Sequence, residues 1–400
     1  MPKTVTVSTA TELLSAAKGA RAGDTILLAA GNYGDIYLNN LRPGGTVTIK
    51  TASGNHDAVF SYLTVRNSQN LALQDIDVVH PLKPGESDVA QAAWIGSSNR
   101  ISFTGMHFAG SLDGNHFNDG NGLAIGNSDR ITVLNSTFEQ FKVGVKIGVS
   151  TDVIFAGNTI HDVREGVNMS RLTSALFEKN YVTNVVGDSS KGDHPDAFQL
   201  HAGWTGESST DVVFRSNVII APAAQGIFIC SSFGEQGVFQ KNIVIENNYY
   251  EGNQRNAISV NQGVGVVITG NTLRMGDGGA YAPAIVVGQS TNVQITKNIT
   301  PLTVQRTDSL STNITWANNI DVWDPQRKTG VSVASVFSTP LTTGNIDFAS
   351  LNAAGSKNVN VTGIGFRAVE GISHISGTAE ALLNSYVPQF EGHFSANYFG

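Results

Sequence analysis

The chain is short of cysteine and short of charge. A single cysteine, Cys230, in 400 residues excludes an intramolecular disulfide framework and a multi-cysteine zinc site. A lone thiol in such a chain reads as a small packing residue. Charged residues make up only 14% of the sequence, and the net charge of -7 does not supply the basic surface of a nucleic-acid or anionic-membrane binder. No apolar run reaches the length needed to span a bilayer. The expected partners therefore include no nucleic acid and no membrane. The opening residues, Met1-Pro2-Lys3-Thr4-Val5, carry neither the basic n-region nor the apolar h-region of a secretory signal. The expected setting is extracellular or virion-associated, and a leader already removed, another export route and carriage on a virus particle all stay open.

What is present is glycine, 43 residues of it, with 40% hydrophobic residues. That is too apolar for disorder and suits a β-rich chain with many tight turns. The decisive pattern is internal repetition. Gly122-Leu-Ala-Ile-Gly126 followed by Arg130-Ile-Thr-Val-Leu-Asn135 returns 22 residues later as Gly144-Val-Lys-Ile-Gly148 followed by Asp152-Val-Ile-Phe-Ala-Gly-Asn158. Further units open at Gly166, Ala197, Gly226, Ala257 and Ala284. Each unit also carries an asparagine after its second strand, at Asn135, Asn158, Asn180, Asn217, Asn248, Asn271 and Asn298. Short alternating strands cannot bury a face alone, but stacked as coils they enclose one apolar interior. Asparagine tolerates the left-handed turn conformation, and its amide can bond to the equivalent residue one coil on. The expectation is an all-β chain, a single-stranded right-handed parallel β-helix, with asparagines in a ladder. Thr9-Ala-Thr-Glu-Leu-Leu-Ser-Ala-Ala17 has a helix N-terminus and an amphipathic run, and is expected to cap the open end. The division expected is 1–300 for cap and coils, then 301–400 for final irregular coils and a capping or docking tail. Ala379-Glu-Ala-Leu-Leu-Asn384 reads as a short helix within that tail.

The segment Val7 to Leu28, with Gly31-Asn-Tyr33 and Val47-Thr-Ile-Lys50, resembles the opening of the pectate-lyase-like β-helix superfamily. It is most similar to alginate and chondroitin lyases and mannuronan C5-epimerases. The resemblance implies an enzyme acting on acidic, uronic-acid-containing polysaccharide. The strand Ala197-Phe-Gln-Leu-His201 is similar in register to an epimerase strand in which Asp and His alternate outward, which puts His201 where that family has a catalytic histidine. It departs from the family at Gln199, in place of Asp, and at Asp196, in place of Tyr, which favours a lyase over an epimerase.

Alternation in the opening strands sends Leu123, Ile125, Val145, Ile147, Val167, Met169, Phe198, Leu200, Ile227 and Ile229 inward. Their neighbours form an outward stripe: Ala124, Lys146, Asn168, Ser170, Gln199, His201, Phe228, Cys230, Ser259 and Asn261. The coil between Asn180 and Asn217 is about 15 residues longer than the usual unit, on the ~22-residue spacing of such solenoids. The excess falls in Gly187–Asp196 and Ala202–Ser208, on both sides of the stripe, and extra loops on one face of a solenoid build binding sites. β-Elimination next to a uronate carboxylate needs a base, an acid and a cation. The candidate catalytic residues are His201, Lys146, Asp196, Asp193 and His194, with His201 as base or acid and Asp193 or Asp196 orienting a histidine. The candidate substrate-binding residues are Arg164, Glu165, Asn168, Gln199, Trp204 and Lys191. Tyr250 and Tyr281 are candidates for the partner acid. His161 and Asp162 read as turn residues with a structural role. No metal ligand set is assigned; Ca2+ is the ion that the oxygens of Asp193, Asp196 and Glu165 would suit. Alternatives left open are a glycoside hydrolase or tailspike-type depolymerase, which would be a homo-trimer, a C5-epimerase, and a non-catalytic carbohydrate-binding solenoid.

Overall fold

The computed structural model describes residues 1–203, 206–231, 236–276, 279, 281–305, 311–337 and 347–386. Among these, twenty-nine strands run from Thr4–Val7 to Ile320–Asp321, and every ladder pairing between them is parallel. Each coil turns through three faces. The coil beginning at Asn121 crosses face I at 121–126 and face II at 128–134, then face III from Thr137. The long strands Asn121–Leu134, Thr137–Ala156 and Thr159–Glu178 bend around the corners without losing their pairing. The chain is a right-handed parallel β-helix, as its repeat implies.

The inward set expected from alternation is buried throughout, from Leu123 and Val145 at 0% exposure to Ile125 at 3%. Phenylalanines add a stack along the interior: Phe108 lies on Phe138 with centroids 4.9 Å apart, and Phe177 on Phe214 at 5.3 Å. Offset stacking of this kind adds to the gain from burial.

The asparagine ladder is present, and two residues share the work assigned to one. Asn158, Asn180, Asn217, Asn248, Asn271, Asn298 and Asn319 each pass a side-chain bond to the next: Nδ2 of one donates to Oδ1 of the following one at 2.9–3.1 Å. The left-handed turn conformation belongs instead to the residue before each: Gly157, Lys179, Ser216, Asn247, Gly270, Lys297 and Asn318. Asn135 is such a turn residue and not a rung. Its coil ends on Ser136, whose amide donates to Asn158 Oδ1. Asn319 is the rung beyond residue 300, so coils continue past that boundary.

Helix α1 (Ala10–Gly19) caps the first coil. Thr9 Oγ1 accepts the Glu12 amide, the Glu12 carboxylate accepts the Ser8 amide, and Leu13 and Ala17 close the apolar interior. At the other end, after the short helix α2 (Val333–Val336), the chain turns back along the outside of face II. Helix α3 (Ala379–Tyr386) lays Leu382 and Tyr386 on an outward apolar column of Leu134, Ile154, Leu176, Val213 and Val244. Two turn asparagines clip the returning backbone. Asn135 exchanges two bonds with Ile375, and Asn247 exchanges two with Arg367.

Candidate active site

Face I carries two outward columns side by side. In the first, consecutive coils align Thr64, Trp94, Ala124, Lys146, Asn168, Gln199, Phe228 and Ser259. In the second they align Arg66, Gly96, Gly126, Gly148, Ser170 and His201. Lys146 and His201 are both partly exposed and share this face. Ser259, expected outward, is buried at 1%. Three successive coils of the second column lack a side chain; Gly96 is buried under the Trp94 indole, and Gly126 and Gly148 leave a bare lane below His201. A Cβ at Gly126 or Gly148 would meet nothing nearer than 3.7 Å. Packing does not demand glycine there; its effect is the open floor. At the far end the Arg66 guanidinium lies 4.5 Å from the Trp94 ring centroid, a cation–π platform beside the lane.

The long loop between Val185 and Asp196 is braced from beneath. Arg164 grips Asp193 with two bonds, Nε to Oδ2 at 2.7 Å and NH2 to Oδ1. Their side chains are 1% and 4% exposed. Burial raises the Asp193 carboxyl, but the Arg164 bond and the Asp188 amide outweigh it and hold it below the usual range. Arg164 and Asp193 are therefore corrected from site residues to a strut: a guanidinium already bound on two atoms and closed to solvent cannot receive a substrate carboxylate. Asp193 also makes no hydrogen bond or ion pair with a histidine among the described residues. Lys191 is exposed on the same loop beside Asp188. Trp204 lies outside the described residues.

Asp196 does orient a histidine. Its Oδ2 accepts from His194 Nδ1 at 2.6 Å and from Gln199 Nε2 at 2.8 Å. Asp196 is 1% exposed, while the His194 side chain is 52% exposed. Burial pushes Asp196 up to about 6, so it is ionised at neutral pH. The bond to it raises His194 above the usual imidazole value. With its Nδ1 proton held by Asp196, His194 turns Nε2 outward, toward Gln225 Nε2 at 3.3 Å. That nitrogen faces a groove of about 390 Å³ shared with Gln225, Phe228, Gln254, Arg255 and Asn256. Arg255 is exposed and makes one long bond, 3.4 Å, to Gln326.

His201 is differently placed. Its Nδ1 accepts the Gly203 amide at 3.0 Å and its Nε2 donates to Asn168 Oδ1 at 2.9 Å. Burial and then Arg171 lower its pKa, so it is neutral. The lone pair that a base would use is occupied, and the expected base role does not fit this geometry. A relay instead runs from His201 through Asn168, whose Nδ2 donates to Gln199 Oε1 at 2.7 Å, and through Gln199 to Asp196. Glu165 stands beside it, accepting from the His194 amide at 3.4 Å. Lys146, lowered by burial, has no hydrogen bond or ion pair among the described residues. Tyr250 is corrected too: it is 1% exposed, and its hydroxyl donates to the Ala224 carbonyl inside the coil. Tyr281 is exposed. Burial pushes the Cys230 thiol up to about 11, as suits a packing residue.

The sequence reading missed Arg255, Gln225, Asn256, Trp94 and Arg66. Trp94 was visible in principle, since Ala92-Ala-Trp-Ile-Gly96 repeats the pattern of Gly122-Leu-Ala-Ile-Gly126 one unit earlier. Arg255 lies at the corner before an opening strand, where alternation says nothing.

A family model described as a right-handed β-helix region matches residues 87–273. The chain shares that solenoid. No curated protein matches the sequence. Among solved structures, a mutant DFA-IIIase from Arthrobacter chlorophenolicus A6 in complex with DFA-III is similar, at 12% identity over 76% of this chain and 80% of that one, with a TM-score of 0.46. A PL6 family polysaccharide lyase from Pseudopedobacter saltans aligns at 12% identity over 85% and 97%, with a TM-score of 0.46. The GH136 lacto-N-biosidase from Eubacterium ramulus aligns at 8% identity over 80% and 67%, with a TM-score of 0.45.

Proposed function

We propose that the chain is a carbohydrate-active enzyme that cleaves a uronate-containing polysaccharide by β-elimination, with His194 as the base. The observation that carries this reading is the Asp196–His194 pair: a buried carboxylate fixes the tautomer and turns Nε2, met only by a long 3.3 Å contact from the Gln225 amide, toward an exposed groove that also holds Arg255. A base oriented by a third group is the arrangement proton abstraction needs. Arg255 would sit on the sugar carboxylate and lower the cost of the carbanion. His194 Nε2 takes the proton from the carbon beside that carboxylate. The electron pair forms the new C=C bond, the C–O bond to the neighbouring sugar breaks, and the imidazolium returns its proton to the leaving oxygen.

The charges along face I suit an acidic polymer lying parallel to the solenoid axis. Lys146 is two coils before the His194 coil, about 10 Å at ~4.8 Å per coil, while the Arg255 side chain, which starts two coils after it, lines the same groove as His194. The bare lane and the Trp94 platform extend the track further. A glycoside hydrolase would need two accessible carboxylates across the scissile bond. Asp193 and Asp196 are both closed to solvent, which leaves Glu165 as the accessible carboxylate on this part of the stripe among the described residues.

The test is incubation with alginate, polygalacturonate, chondroitin and hyaluronate while ultraviolet absorbance is followed. The expected result is a new absorbing double bond with one of these polymers, and a loss of roughly 10²–10⁴-fold in kcat for His194→Ala. New reducing ends without absorbance would establish hydrolysis and overturn the reading.

A further inference from the structure

Face III, around the corner from this groove, carries three of the nine histidines of the chain in one line with carboxylates. His56 Nδ1 meets Asp77 at 2.8 Å, Asp77 meets His107 Nδ1 at 3.5 Å, and His107 Nε2 meets Glu139 Oε1 at 2.7 Å. His161 follows, with Nε2 3.9 Å from Glu139 Oε2 and Nδ1 2.6 Å from Asp162 Oδ2. His161 is the register partner of Glu139 on the paired strand, and Asp162 follows it at the corner in the left-handed conformation, φ 53°. We propose that Glu139, His161 and Asp162 bind a divalent transition-metal ion, of the Zn2+, Co2+ or Ni2+ class.

One donor atom from each of these residues lies within 4.8 Å of the others, and all three side chains are partly exposed. Their surroundings are those of ligands held in place. The far oxygen of Glu139 is bound by His107, and the far oxygen of Asp162 accepts from Asn184 Nδ2. Asp77 in turn faces the other nitrogen of His107. Each ligating carboxylate thus has one oxygen fixed and the other turned toward His161, which is how outer partners commonly orient a metal site. One imidazole with two carboxylates and an open side to water suits a borderline cation; Ca2+ and Mg2+ prefer oxygen-only sets. Two negative charges would neutralise the ion. The site would tie together the beginnings of the two strands that carry Lys146 and Glu165 further along.

The experiment is titration of the whole protein with Co2+, read by its visible d–d absorption, and with Zn2+, read by calorimetry. The expected result is one ion per chain, with Ca2+ unable to compete. His161→Ala should weaken binding at least tenfold, and His194→Ala should leave it unchanged. Asp162→Asn, close in shape, serves as the second variant if His161→Ala does not fold. Wild-type protein that takes up no ion at millimolar Co2+ or Zn2+, or binding that survives both face III variants, would overturn the proposal. In either case the line is an ion-pair ladder only. Because the readout is occupancy and not turnover, this result stands apart from the fate of the lyase reading.

Discussion

Two polar columns follow this solenoid, an asparagine ladder inside it from Asn158 to Asn319 and a column outside it on face I, and they are built on opposite rules. The inner column repeats one residue. From Asn158 to Asn298 each rung is fully buried or nearly so, at 0–2% exposure, and each amide bonds to the next rung and to backbone. The outer column on face I never repeats a residue in neighbouring coils from Trp94 to Ser259. Its polar groups are only partly satisfied: Lys146 has no partner among the described residues, and Asp196 Oδ1, at the edge of the column, is buried without one. A repeated, self-satisfied polar residue supports the fold. A run of unlike residues with open valences is available for a ligand. Buried networks repay their burial only when complete, so the inner column tolerates no variety and the outer one can be altered coil by coil.

The largest effect that separates the columns is expected from Asn217→Leu. The change is close in volume, yet it leaves the Asn180 amide and the Phe177 carbonyl buried without partners. At about 1–3 kcal/mol for each orphaned group, the unfolding midpoint in denaturant should fall by several kcal/mol equivalent. An outward change such as Gln199→Leu should move the midpoint far less. Equal losses would mean that the two columns do not differ in kind. Next in size is Asp196→Asn, which is expected to cost activity but little stability. An amide there can donate to His194 Nδ1, which would move the ring proton to Nε2 and leave no base facing the groove. Turnover should fall by roughly 10²–10⁴-fold, the range for losing a base or the group that orients it. The sign of the pH effect follows from the raised His194 pKa. The base works only when neutral, so wild-type kcat/KM should rise as pH climbs through that value. Removing the Asp196 charge lowers the value, so the acid limb of the residual activity should move to lower pH. A limb that stays in place would remove His194 from the chemistry.

The inner column and the coils were legible because they depend on periodicity. Period-two alternation identified Leu123, Val145, Val167 and Phe198 as core, and the recurring asparagine marked the coil length. The ladder was misread by one residue at Asn135 because turn and rung are adjacent, and Gly-Asn, Lys-Asn and Asn-Asn all satisfy the pair. The site was legible only as a neighbourhood. The long loop and the unlike residues of the stripe pointed to the coils of the proposed site, and Asp196, a candidate to orient a histidine, is bound to His194 Nδ1. Which histidine, and which cation, depended on side-chain directions at corners. Arg164 and Asp193 look like site residues in sequence for the same reason that they are not: a loop that must stand over a groove needs a buried ion pair at its base. Breaking such a pair by removing one partner is costly, which explains why scarce charge is spent there.

The smallest predicted effect tests whether the outer column is a track or a single pocket. Gly148→Leu puts a side chain on the bare lane two coils before His201, where a Cβ has ordinary clearance from Ser170 Oγ at 3.7 Å. The strand is extended and no positive φ is required there, so stability should change by only about 0.5 kcal/mol, the range for surface sites. If polymer lies along the lane, KM for long chains should rise about tenfold, about 1.4 kcal/mol of lost binding, with kcat unaltered. The shortest substrates that still turn over should be indifferent, because they need only the groove at His194. A uniform loss across all chain lengths would instead place Gly148 inside the reacting site. No loss at any length would confine binding to the groove between His194 and Arg255, and Gly126 and Gly148 would then be a feature of face I without a ligand to explain them.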